Sequence, residues 1–245
     1  MSGLLYVGCA GWSLPREQWP AFTREGTHLQ RYASRFNAVE INTSFYRPHQ
    51  PKTYQRWAQS VPSAFRFSVK LPRLITHELR LQACETALRE FLEQCLPLKE
   101  KLGCLLVQLP PSSGFEPAVA ASFFAELRQR FVGAVVIEPR HASWLKADAV
   151  LQDFQIGRVA ADPPVFEGAD VPAGWQGVRY WRLHGSPRIY HSAYGPDRVQ
   201  ALAQRLQSSA DEGVTTWCVF DNTASGHAVA DALSLLNLDP QHFQA

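Results

Sequence analysis

Eight short apolar runs recur along this chain at similar intervals, and that recurrence limits the possible folds more than any other feature. They are Leu4–Cys9, Ala38–Thr43, Phe65–Lys70, Gly103–Leu109, Ala134–Pro139, Ile156–Ala161, Val178–Leu183 and Thr216–Asp221. Near-continuous hydrophobicity, rich in β-branched residues, suits parallel strands buried on both faces. Most gaps carry helical patterns: Thr27–Phe36, Pro51–Gln59, Ala83–Lys101, Pro117–Arg130, Asp197–Glu212 and Ser225–Leu236, with a weaker one at Asp148–Phe154. In Ala83–Lys101, Ala87, Leu88, Phe91, Leu92 and Cys95 make one stripe that would face a sheet. From Asp162-Pro163-Pro164 to Gly177 the pattern lapses into a proline- and glycine-rich stretch that reads as a loop. Strict alternation with right-handed crossovers gives an open doubly wound sheet or a closed barrel. Eight units in 245 residues favour closure, because a barrel of this type needs about 250. The expectation is a single (β/α)8 TIM-type barrel domain over residues 1–245, irregular after the sixth strand.

Charge and cysteine usage bound the rest. A net charge of +2 gives no whole-molecule field that would imply nucleic acid or an anionic membrane, so electrostatic function must come from placement. No apolar stretch reaches the roughly 18 residues of a membrane span, and Leu4-Leu5-Tyr6-Val7 lacks a basic leader and reads as a strand. The five cysteines show no CxxC spacing, and each sits in an apolar stretch. Buried free thiols in a reducing, cytoplasmic compartment are expected.

In a barrel the functional face lies at the carboxyl ends of the strands. Here the apolar runs turn polar at those ends. Glu40 and Asn42 share one side of the second strand, Ser68 and Lys70 of the third, Glu138 and Arg140 of the fifth, and Arg182 and His184 of the seventh. Gln108 ends the fourth, Asp162 follows the sixth, Asp221-Asn222 closes the eighth, and His141 follows Arg140. Inside a barrel such groups are desolvated and must pair with one another or bind something. An internal ion network, such as Glu40–Lys70 or Glu138–Arg182, is the structural alternative to a ligand site. Aromatic residues, among them Trp12, Phe45, Tyr46, Trp144, Tyr190 and Tyr194, interleave with arginines and histidines at the same end. Basic groups beside aromatic faces suit an anionic ligand with a planar or sugar part, and single-stranded nucleic acid fits the same description. The segments His184-Gly185-Ser186-Pro187-Arg188 and Asn222–His227 occupy the usual phosphate seat of this fold.

Seven ordered segments also carry a family resemblance. They are Gly8-Cys9-Ala10-Gly11-Trp12, Glu40–Tyr46, Phe67–His77, Gln108-Leu109-Pro110-Pro111, Glu138–Trp144, Arg182-Leu183-His184-Gly185 and Phe220-Asp221-Asn222-Thr223. Together they resemble the YecE-like family, domain of unknown function seventy-two. The resemblance implies a TIM-type barrel and a pocket lined by these residues, with no established activity. Pro139 departs from the phenylalanine expected there, and Asp231 from a frequent asparagine.

The leading expectation is an enzyme doing acid–base chemistry on a small anionic or polyhydroxylated substrate, sugar- or phosphate-bearing. Glu40, Lys70, Glu138 and His184 are the candidate catalytic residues. Trp12, Asn42, Tyr46, Gln108, Arg140, His141, Arg182, Gly185, Arg188 and Asn222 are the candidates for substrate binding. Lys70 suits electrostatic stabilisation, a base of lowered pKa or a Schiff base, and Glu40 with Glu138 suits an acid–base pair. The alternative is a divalent-metal phosphodiester or nucleic-acid enzyme, which the charge of Lys70 opposes. A third reading is non-enzymatic binding of a metabolite or nucleic acid. No cofactor and no metal are expected, since neither a P-loop nor GxGxxG occurs and no compact ligand cluster stands out. The expected partner is a small anionic or sugar-like ligand. Nucleic acid is left open but not favoured, no membrane is expected, and the oligomeric state is left open.

Overall fold

The computed structural model describes residues 3–238. All eight expected strands form. They are β1 (Leu5–Cys9), β2 (Ala38–Ile41), β3 (Arg66–Lys70), β4 (Leu102–Gln108), β5 (Ala134–Glu138), the pair β6 (Ile156–Arg158) and β7 (Ala160–Asp162), then, after a two-residue β8 (Ala173–Gly174), β9 (Val178–Leu183) and β10 (Thr215–Phe220). Helices α1 (His28–Tyr32), α2 (Pro51–Gln59), α3 (Glu85–Cys95), α4 (Pro117–Arg130), α5 (Asp148–Asp153), α6 (Pro196–Asp211) and α7 (His227–Leu238) fill the gaps. The result is a mixed α/β fold with two predominantly parallel sheets, ordered β1-β10-β9-β7 and β2-β3-β4-β5-β6-β8.

The sixth run departs from the expected single strand. Residues 156–158 pair with β5, through Ile156 opposite Val135 and Arg158 opposite Ile137. After Val159 the chain pairs instead with β9, Ala160 opposite Trp181 and Asp162 opposite Leu183. One continuous run thus serves both sheets. Near the other margin Ala10 bridges Glu40 in parallel, and the Gly11 amide donates to the Glu40 carbonyl at 2.9 Å. The segment read as a loop after Asp162 holds β8, which pairs antiparallel with β6.

The expected helix 83–101 breaks at Cys95. Pro97 lacks an amide donor, and residues 96–101 continue as a tighter 3-10 turn with Lys99 at φ +55°. That turn delivers the Lys101 ammonium to the Ala58 and Val61 carbonyls, 2.7 Å from each, at the carboxyl end of α2. Helix α1 starts on a capping box, Thr27 Oγ1 accepting from the Gln30 amide and Gln30 Oε1 from the Thr27 amide.

Two apolar compartments result from alternation along the strands. The larger lies between the strands and the helices and includes Val7, Ile41, Phe67, Val69, Leu105, Ile137 and Phe220. The smaller gathers the opposite faces: Tyr6, Cys104, Leu106, Val136, Tyr180, Trp217 and Val219. Gly103 is needed beside it, because a Cβ there would lie 2.7 Å from the Trp217 ring. All five cysteines are buried and unpaired. No described helix is long and apolar enough to cross a membrane.

Candidate functional site

The residues that follow Leu106, Val136, Tyr180 and Val219 along the same strand faces, Gln108, Glu138, Arg182 and Asp221, are polar, so the smaller compartment ends in a layer of charge. Arg182, two residues beyond Tyr180 and 1 % exposed, is its centre. Its Nη2 donates to Glu40 Oε1 at 2.7 Å and its Nε to Glu40 Oε2 at 3.0 Å, a side-on pair. Its Nη1 donates to Glu138 Oε2 at 3.0 Å, and Nη2 also lies 3.0 Å from Asp221 Oδ2. Three carboxylates from three strand ends therefore share one guanidinium. The Tyr180 hydroxyl lies 2.9 Å from Glu40 Oε2 and 3.0 Å from Ser68 Oγ, completing the lower shell of Glu40.

His184 closes the layer. Its Nε2 is 2.8 Å from Glu138 Oε1 and its Nδ1 is 3.0 Å from Asp221 Oδ2. Burial alone would lower its pKa, but Glu138 and the hydrogen bonds to both carboxylates outweigh that and raise it. The raised pKa favours the protonated ring, in which both nitrogens donate to the carboxylates. Arg140 Nη2 donates to Glu138 Oε1 at 2.6 Å and lies 3.0 Å from His184 Nε2, so both groups share that carboxylate oxygen. Burial would raise the pKa of Glu138, yet Arg140, Arg182 and His184 together hold it well below the usual carboxylate range. Asp221 is lowered in the same way, burial being overcome by Arg182 and His184. Both carboxylates are ionised acceptors at neutral pH.

Lys70 is different. It is 6 % exposed, and its Nζ sits 4.1 Å from the centroid of the Phe45 ring. Among the described residues it forms no ion pair, because the neighbouring carboxylates are held by Arg182, Arg140 and His184. Burial first, and then the Arg182 charge, lower its pKa to about 8, with Glu40, Glu138 and Asp221 pulling the other way. Lys70, Arg140 and Arg182 thus face three carboxylates, and His184 adds to the positive side in its protonated form. Two further polar atoms here are shielded and unpartnered, Asn42 Oδ1 and Arg140 Nε.

The candidates from sequence divide into two groups. Glu40, Glu138, Arg140, Arg182 and His184 meet in this layer through direct hydrogen bonds, with Lys70 beside them. The expected Glu138–Arg182 pair forms, whereas Glu40 pairs with Arg182 and not with Lys70. Gln108 ends β4 and turns its Nε2 onto the Leu109 carbonyl, 2.7 Å away. Tyr46 is 76 % exposed and meets Phe45 edge-on. Trp12 packs on Trp57 outside the charged layer. His141 is exposed and caps the turn at 142–146 by accepting from the Ser143 amide. Arg188 is exposed, its backbone amide donating to Ser192 Oγ at 3.0 Å.

Gly185 and Asn222 use their donors internally. The Gly185 amide donates to the Tyr194 hydroxyl at 2.9 Å, and Asn222 Nδ2 to the Ser192 carbonyl at 2.9 Å and to Asp231 Oδ2 at 2.6 Å. Gly185 has φ +88°, and a Cβ there would lie 2.6 Å from the Ser192 carbonyl oxygen. Asp231 also accepts from the Tyr194 amide, so this departure from the family's asparagine ties the loops after β9 and β10 together. The sequence places Asp221 and Phe45 at the strand ends without giving them a role, and passes over Tyr180, which was legible two residues before Arg182 on the same strand face. Among the described residues no three of His, Cys, Asp and Glu are grouped to hold a metal ion.

The family described as "Protein of unknown function DUF72" matches residues 6–244. Among curated proteins, UPF0759 protein YecE of Escherichia coli K12 is 36 % identical over 112 residues, 45 % of this chain and 39 % of the relative. That alignment spans about two fifths of the relative's own length. UPF0759 protein YunF of Bacillus subtilis 168 is 29 % identical over 273 residues, 96 % of this chain and 94 % of the relative. Among solved structures, a DUF72 family protein of Thermotoga maritima MSB8 superposes with a TM-score of 0.79 at 23 % identity, covering 96 % of this chain and 98 % of that one. The likeness to that structure is one of fold.

Proposed function

This chain belongs to the DUF72 family, and we propose that it is an enzyme doing acid–base chemistry on a small anionic, polyhydroxylated substrate, with Lys70 as the group that exchanges the proton. One observation carries the reading: Lys70 is buried and, among the described residues, in no ion pair, beside carboxylates already committed to other cations. An ammonium in no ion pair favours an anion, and a pKa of about 8 lets the amine gain and lose a proton near neutral pH. Glu40, Glu138, Asp221 and His184 then act as positioning residues that set the field around Lys70, since each is held by partners within the layer.

The reading takes the two sheets as one closed ring of eight strands in a single domain. Its support is the run 156–162, which pairs with β5 and then β9, and the bridge from Ala10 to Glu40. Closure places Glu40, Lys70, Glu138, Arg182 and Asp221 around one axis at the face where barrels carry their sites.

Thermal melts with inorganic phosphate, ribose 5-phosphate and gluconate test the ligand class, because a ligand bound only by the folded state raises Tm. At least one should stabilise the wild type in a saturable way, stabilise Lys146→Met equally, and leave Lys70→Met unmoved. Ribose 5-phosphate or gluconate, whichever stabilises, should lose a carbon-bound proton signal when incubated with wild type in D2O, and Lys70→Met should preserve it. Equal stabilisation of Lys70→Met, or no response to any of the three, would overturn the proposal.

A further inference from the structure

The turn after β2 fixes Lys70 at both ends. Buried Ser44 donates its Oγ proton to the Lys70 carbonyl at 2.6 Å, and the next residue, Phe45, lays its ring against the Lys70 Nζ. That Nζ makes no hydrogen bond among the described residues, yet it keeps solvent-accessible surface, unlike the shielded Asn42 Oδ1 and Arg140 Nε. An amine on a fixed stem with an open side is positioned to react. His77 shares the ring: the π-turn at residues 74–78 packs it nearly perpendicular to Phe45, with 4.9 Å between centroids. Thr76 Oγ1 donates to the Pro72 carbonyl at 3.3 Å, so it accepts from His77 Nδ1, 2.9 Å away, and the lone pair is left on Nε2. His77 Nε2 also has no partner among the described residues and keeps solvent-accessible surface. Burial, and next the charge of Lys70, lower the His77 pKa, so the neutral ring prevails at pH 7.

We propose that Lys70 is a nucleophile that forms an imine with the aldehyde or ketone carbon of a small anionic hydroxycarbonyl compound, and that His77 moves the protons this step requires. The step rests on the reading of Lys70 as the group that meets the substrate, and adds a covalent bond to it. The lone pair of the free amine bonds to the carbonyl carbon as the C=O π pair moves onto oxygen. The nitrogen then gives up its two protons in turn, each passing through His77 Nε2 to that oxygen. The oxygen leaves as water, and the nitrogen lone pair closes the C=N bond. One amine and one carbonyl thus give one imine and one water, with nothing oxidised or reduced.

Sodium cyanoborohydride reduces an imine to a stable secondary amine, so trapping on the full chain reads the step directly. Glyceraldehyde 3-phosphate is the probe, being an anionic hydroxyaldehyde, and peptide mass spectra assign the adducts. At pH 7.5 an amine of pKa about 8 is free in roughly one molecule in four, and an ordinary lysine amine in about one in a thousand. Lys70 should therefore be labelled at least about tenfold faster than the exposed Lys52, Lys99 and Lys146. His77→Gln should slow labelling of Lys70 by at least about tenfold and leave the exposed lysines unchanged. Labelling spread evenly over the lysines, or absent from Lys70, would overturn the imine, and an unchanged Lys70 rate in His77→Gln would overturn the part given to His77. A Lys70 adduct in a protein whose Tm none of the three ligands above moves would sink the proposed function and keep the imine. A Tm response with no adduct would do the reverse.

Discussion

Replacing Lys70 with methionine should stabilise the protein at pH 7. Methionine keeps the length and flexibility of the side chain and removes a charge that the fold holds in a poor environment. The magnitude follows from linkage. The ammonium pKa falls from 10.5 to about 8 on folding, and each factor of ten is worth about 1.4 kcal/mol. Charging Lys70 in the native state thus costs roughly 3 kcal/mol more than in the unfolded chain. The sign is that of a depressed pKa. Between pH 8 and 10.5 the unfolded chain keeps the proton that the native state has released, so wild-type stability rises with pH across that window. The advantage of Lys70→Met should accordingly fall from about 3 kcal/mol at pH 7 to about 1.5 kcal/mol near pH 9.5. Urea melts of both proteins at pH 7, 8, 9 and 9.5 read this as a converging pair of curves, and titrations common to both cancel in the difference. A Lys70→Met variant less stable than wild type by 3 kcal/mol at pH 7 would refute the reasoning and make Lys70 a structural member of the ion network. A constant gap across the pH series would equally deny that the ammonium is the cause.

The other members of the layer should behave in the opposite way. Arg182→Met leaves Glu40, Glu138 and Asp221 without their shared guanidinium, and should cost at least about 3–5 kcal/mol in a denaturant melt or abolish folding. Lys101→Met removes the two donors at the end of α2, and should lower stability by about 1–3 kcal/mol without altering ligand responses at the charged layer. None of the five thiols should react with a disulfide reagent in the native state, because burial raises the pKa of Cys9, Cys84, Cys95, Cys104 and Cys218. All five should react once urea unfolds the chain.

What the sequence determined by itself is the strand inventory and the identity of the polar strand ends. Parallel strands covered on both faces need unbroken apolar runs, and a two-residue period places Glu40, Lys70, Glu138 and Arg182 on the strand faces opposite the larger apolar core without reference to any neighbour. Local chemistry also marked the helix starts at Pro51 and Pro117, since proline at the first helical turn loses no hydrogen bond. The helix break at Cys95 was equally local, in Pro97, though the apolar stripe concealed it. Partner choice was not local. Glu40 pairs with Arg182 and not with Lys70 because the Arg182 guanidinium lies where three strand ends converge and its planar fork can serve three carboxylates. Nothing within the separate runs encodes that convergence. The split of the sixth run at Val159 is decided in the same way, by β5 offering a ladder to one half and β9 to the other. The donors of Gly185 and Asn222 read as open to an anion in sequence, yet Tyr194, Ser192 and Asp231 reach them through turns that only the folded chain defines. Periodicity assigns a side chain to a face. Which charge it meets there depends on the distances between strand ends, and those exist only in the tertiary structure.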